Sequence, residues 1–139
     1  MTIWGTMYYN GEAGIKLVEF VYTVLFERTR RGVLTDAEVK QVEDALLANP
    51  WAGAVMASTG GVRKVRAAQE SRGKSGSARV VYLYVQEQAT IYFILAFPKN
   101  VQGNLTEGQK KQVRALVAHI ENEEWPRRNR QGGTQSRRS

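Results

Sequence analysis

The sequence predicts an α+β fold, a small antiparallel β-sheet with helices packed on one face. Three observations lead there. Thr35 and Thr106 are each followed three positions on by Glu38 or Gln109 and then by apolar residues at helical spacing, the pattern of a capping box opening a helix. Residues 62–67, 78–86 and 90–97 are rich in β-branched and aromatic side chains and follow one another closely, which favours antiparallel neighbours. A chain of 139 residues buries one core and is too short for two.

Taken in order, residues 1–15 contain Gly5, Asn10, Gly11 and Gly14 and keep no sustained period, so they are expected to form an N-terminal extension, poorly ordered or partly packed. The domain proper is expected over 16–124. Residues 16–22 suit a first strand, and residues 23–31 a short helix that Gly32 ends. The helix opened by Thr35 puts Val39, Val42 and Leu46 on one face, with Leu34 stapled against Val39, until Asn49-Pro50 stops it. Gly60-Gly61 then precedes the three strands. The last helix carries a stripe of Val113, Leu116, Val117 and Ile120. With helices on one face, the other face of the sheet is expected to bind something. Residues 125–139 are expected to be a basic disordered tail, since nothing apolar follows Arg127.

The charge pattern narrows the partner. The net charge of +7 is concentrated in two places. Arg63, Lys64, Arg66, Arg72, Lys74 and Arg79 face Glu70 alone, and the tail adds Arg127, Arg128, Arg130, Arg137 and Arg138. Cations gathered in this way repel one another unless a polyanion lies between them, and a phosphate backbone is such a polyanion. In the strand from Val62, alternation puts Lys64 and Arg66 on one face and Arg63 and Val65 on the other. Arg79 begins the next strand and Lys99 follows the last one, so these cations converge at one end of the sheet.

Other chemistries find little support. With no cysteine there is neither a thiol nucleophile nor a thiolate metal site, and a lone His119 off the apolar stripe reads as a surface residue. Acids are sparse around the strands, against paired-carboxylate hydrolysis or a metal-dependent nuclease, so neither a metal nor another cofactor is expected. Gly73-Lys74-Ser75 resembles the end of a phosphate-binding loop, but Ala68 stands where the other glycine belongs and a strand follows. Tyr82, Tyr84, Tyr92, Phe93 and Phe97 suit sheet packing, with one or two, Tyr82 first, available to stack on a base. No apolar run approaches the roughly 20 residues of a membrane span, and the N-terminal region lacks a secretion signal. A cytoplasmic protein without membrane contact is expected.

Leu34-Thr35, Asn49-Pro50, Gly60-Gly61-Val62-Arg63-Lys64-Val65-Arg66, Arg72-Gly73-Lys74, Arg79-Val80-Val81-Tyr82 and Pro98-Lys99-Asn100 together resemble the RelE/HigB family of bacterial type II toxins. The likeness covers roughly residues 17–121. It implies a microbial-ribonuclease-like fold and an endoribonuclease that cuts messenger RNA on the ribosome, restrained by a cognate antitoxin, helix-turn-helix HigA-like or RelB-like. Cleavage in such enzymes is attack of the 2′-hydroxyl on the adjacent phosphate, which needs a base, an acid and positive charge. By position the resemblance assigns Lys64, Arg66, Arg79 and Lys99 to catalysis. Lys64, surrounded by cations, is the expected base. Arg66 and Arg79 would grip the phosphate, and Lys99 would protonate or neutralise the leaving oxygen. Arg63, Arg72, Lys74 and Tyr82 are expected to hold RNA or the ribosome. Some members carry a catalytic tyrosine near the C-terminus; Gly103-Asn104-Leu105-Thr106 has none. Two other functions fit less well: inhibition of DNA gyrase, as by ParE-type toxins of the same fold, and non-catalytic nucleic-acid binding.

Overall fold

A computed structural model describes residues 2–9, 15–70, 77–99, 102 and 104–124, with side chains described within 18–122. Arg72, Lys74 and the 125–139 tail lie outside the described residues. The elements are β1 (Thr2–Tyr9), β2 (Ile15–Tyr22), α1 (Val24–Thr29), α2 (Asp36–Ala48), β3 (Ala54–Val55), β4 (Arg63–Ala68), β5 (Ser77–Val85), β6 (Thr90–Pro98) and α3 (Glu107–His119). The strands form one sheet in the order β1-β2-β6-β5-β4-β3. Within the stretch read as an extension, Thr2–Tyr9 run as a strand, pairing antiparallel with β2 from Thr2↔Tyr22 to Tyr9↔Ile15.

Local signals set the helices. Both capping boxes form, Thr35 with Glu38 and Thr106 with Gln109. Thr23 caps α1 by accepting from the Phe26 N–H, and its hydroxyl donates to Phe93 O at 2.9 Å, tying the helix start to β6. At the other end of α1, Thr29 Oγ1 accepts the Ala96 N–H at 3.0 Å.

The α+β class holds, with two corrections to its details. The sheet is mixed: β4, β5 and β6 pair antiparallel, but β2 lies parallel to β6, from Glu19↔Thr90 to Tyr22↔Phe93. Short connections predict antiparallel neighbours only for consecutive strands, and β2 meets a strand far along the chain. Secondly, helices cover both faces. Phe26 of α1 and Val39, Val42, Leu46 and Leu47 of α2 pack with Phe20, Val80, Tyr82, Ile91 and Phe93. Val113 and Val117 of α3 pack on the opposite side, with Val81, Leu83, Tyr92, Ile94 and Leu95. Consequently β6 is buried along nearly its whole length, as a central strand sandwiched between helices must be. Between the pairs Val81↔Leu95 and Tyr82↔Phe93 the register shifts by one residue. This bulge lets both Ile94 and Leu95 face α3.

The chain from α2 to β4 needs glycine at two places. A Cβ on Gly53 would lie 2.8 Å from Lys64 O and 2.9 Å from Tyr82 Cε1, so only glycine lets β3 lie against β4. Gly60 has φ +85°, and a Cβ there would also meet Val117 Cγ1 at 3.0 Å. The Gly60-Gly61 turn therefore seats closely on α3, where Arg114 Nη1 donates to Ser58 O.

Candidate nucleic-acid interface

Alternation along β4 separates its cations. Val65 and Ala67 pack on the α2 side, which sends Lys64 and Arg66 to the α3 side. Arg66 is the register partner of Arg79 on β5, and Arg79 is the partner of Phe97 on β6, itself packed on the α3 side. Directly opposite residues of an antiparallel ladder carry their side chains on one face, with Cβ atoms about 5 Å apart. Lys99 comes two residues after Phe97, and its N–H donates to Ser77 O at 3.1 Å, extending the β5–β6 ladder. Thus Lys64, Arg66 and Arg79 share the α3-side face, and Lys99 continues the strand at the same end of the sheet. Arg66 and Lys99 are exposed; Lys64 and Arg79 are half-buried.

Among the described residues none of these four cations forms a salt bridge, whereas Arg30, Lys40 and Lys110 each do. Arg79 Nη1 has a backbone partner, Ala78 O at 3.3 Å. Two guanidinium groups directly opposite in a ladder destabilise it. An anion between them would reverse the sign of that interaction, and the forked guanidinium geometry suits a phosphate.

Lys64 also borders a cleft of about 260 Å³, lined by Ala54, Val55, Met56, Ala57, Asn104 and Lys110. Sequence reasoning missed Asn104 and Lys110. Their only signal was negative, a polar residue before the last cap and a lysine off the apolar stripe of α3, and many solvated residues share it.

Two residues expected to hold RNA are used otherwise. Tyr82 is fully buried, so its ring cannot stack on a base. Its hydroxyl donates to Pro50 O at 2.8 Å and accepts the Gly53 N–H at 2.9 Å. Burial raises this phenol above its ordinary value, against the opposing effects of the Gly53 bond and the Arg63 charge. Arg63 Nη1 donates to Gly53 O at 2.7 Å and Trp51 O at 3.2 Å, and its guanidinium lies 5.1 Å from the Trp51 ring centroid. Both side chains staple the 50–53 loop and so hold β3, one wall of the cleft, beside Lys64.

No group of three His, Cys, Asp or Glu among the described residues is placed to hold a metal ion. His119 is exposed on α3 and away from the cationic face, in a groove with Val24, Arg28 and Leu116. None of the helices among the described residues is long and apolar enough to cross a membrane.

Comparison with known families matches residues 21–125 to the RelE toxin of the RelE / RelB toxin-antitoxin system. The match runs from the last two residues of β2 through α3 and takes in Lys64, Arg66, Arg79 and Lys99. The chain therefore belongs to the RelE family, toxins that pair with a cognate antitoxin and in general inhibit translation as messenger-RNA endoribonucleases.

Proposed function

We propose that this toxin is itself an endoribonuclease that cuts messenger RNA on the ribosome, in the cytoplasm, through the face formed by Lys64, Arg66, Arg79 and Lys99. The observation that carries the reading is Arg66 opposite Arg79 in the ladder, with no salt bridge to either among the described residues. Selection for stability alone would remove such a pair, and a bound phosphate turns it into an asset.

Lys64 takes the proton of a ribose 2′-hydroxyl. The freed oxygen bonds to the adjacent phosphorus, and the bond from phosphorus to the 5′-oxygen breaks, leaving a 2′,3′-cyclic phosphate. Arg66 and Arg79 neutralise the charge that builds on the non-bridging oxygens, where preorganised donors contribute most. Lys99 serves the departing 5′-oxygen, which leaves with a proton. A guanidinium cannot act as a base near neutrality and an ammonium cannot fork a phosphate, so Lys64 and Arg79 are not interchangeable. The antitoxin, HigA-like or RelB-like, restrains the toxin until it is released.

Primer extension on a reporter messenger RNA after brief induction tests this, beside a Lys64→Ala/Arg79→Ala double variant. Discrete new ends within translated codons, absent with the variant, are expected. Growth arrest with intact messenger RNA would reject the nuclease and favour gyrase inhibition.

A further inference from the structure

We propose that the cleft beside Lys64 is a nucleotide subsite in which Lys110 and Asn104 hold the phosphate next to the one that is cut and Ala54, Val55 and Ala57 take its base. This inference rests on the nuclease reading and adds to it a substrate-positioning site on a different element, the first turns of α3.

The size of the cleft, about 260 Å³, falls below the roughly 300–1,000 Å³ of sites for drug-sized ligands. That suits one nucleotide moiety rather than a long stretch of RNA. Its lining combines two cations from separate elements, Lys64 and Lys110, with an apolar wall on β3 and the turn after it. Val55 is 60% exposed there, one of three large apolar side chains among the described residues that stand out into solvent. Cations beside exposed apolar surface match a nucleotide, which is charged at one end and flat and weakly polar at the other.

Both polar residues can accept this ligand at little cost. Lys110 Nζ is 3.6 Å from Glu107 Oε2, whose side chain is 89% exposed. A long contact in water contributes almost nothing, so a phosphate readily displaces it. Asn104 Oδ1 accepts the Leu105 N–H at 2.9 Å, which orients the amide, and no bond among the described residues uses its NH2 donors. Lys64 belongs both to the cleft and to the cationic face. A strand rises about 3.3 Å per residue, so a chain of RNA passing from Arg66 to Lys64 moves roughly 7 Å towards the cleft.

The test titrates the whole protein with 2′-deoxynucleoside 3′,5′-bisphosphates, which have no 2′-hydroxyl to attack, and follows backbone amide shifts by NMR. Saturable shifts at residues 54–57 and 104 are expected. Lys110→Ala should weaken binding about tenfold, as removal of one charge-assisted phosphate contact does. Asn104→Ala should weaken it less, and Lys110→Arg should restore most of the loss. Unchanged affinity in Lys110→Ala, with binding still lost in Arg79→Ala, would overturn the subsite and leave the nuclease standing. So would wild-type protein that cuts RNA while no cleft amide shifts. Wild type that neither binds the bisphosphates nor cuts RNA would overturn both.

Discussion

Arg63 and Arg66 stand three residues apart on β4 and on opposite faces of the sheet. Arg63 donates to two carbonyls and lies against an indole. Arg66 is exposed, faces Arg79 across the ladder, and has no salt bridge among the described residues. Two further contacts on the α2 side follow the first pattern. Arg30 pairs with Asp36 at 2.6 Å and donates to Leu34 O at 3.1 Å, and the phenol of Tyr22 donates to the buried carboxylate of Glu43. Arg63 thus spends its charge on holding the fold, whereas Arg66 and Arg79 have no acid partner among the described residues, which is what the proposed phosphate site requires. Count and spacing of basic residues do not distinguish these roles; the partners each cation already has do.

The largest effect is expected at Arg79. Arg79→Ala should lower messenger-RNA cleavage by about 100-fold or more, as loss of a donor to a developing oxyanion does. Its melting temperature should hold or rise, because a like-charge pair is removed. A drop in melting temperature would break the comparison by making Arg79 a structural residue like Arg63. Arg63→Ala should do the reverse. Losing charged hydrogen bonds to the Trp51 and Gly53 carbonyls should cost about 1.5–3 kcal/mol in a urea melt, with cleavage per folded molecule nearly unchanged. Strong loss of RNA binding with full stability would return Arg63 to the interface.

The smallest effect is expected at Glu43, which is 1% exposed. Burial raises its carboxyl above the ordinary 4.5, outweighing the Tyr22 hydrogen bond and the Lys40 charge that favour the carboxylate. Its folded form therefore holds the proton to higher pH than the unfolded chain does. Stability should fall as pH rises from about 4.5 towards the folded value, since the native state binds more protons in that window. Glu43→Gln should flatten this slope in pH-dependent melts, and an unchanged slope would show that Glu43 adds nothing to it.

Much of the fold was legible in the chain. Thr35 with Glu38 and Thr106 with Gln109 marked both long helices, because a capping box is complete within four residues. The β4–β5–β6 meander and the separation of Lys64 and Arg66 from Val65 follow from closely spaced runs and a period of two. Tyr82 misled for a physical reason: an aromatic in a strand looks the same whether its ring fills the core or meets solvent. The side facing α2 and the Pro50 and Gly53 backbone decided it.

By itself, then, the sequence determined what neighbouring residues settle among themselves: caps, strand alternation, the Gly60-Gly61 turn and the grouping of cations on β4 and β5. Tertiary structure decided what needs a distant partner. It set β2 parallel to β6, spread the helices over both faces, inserted the bulge at Ile94 and brought Lys110 of α3 to the cleft beside Lys64. Hydrogen bonds within a turn or a helix start select their residues locally. Which face a strand buries, and which lysine ends up beside which, depends on the packing of elements far apart in the chain.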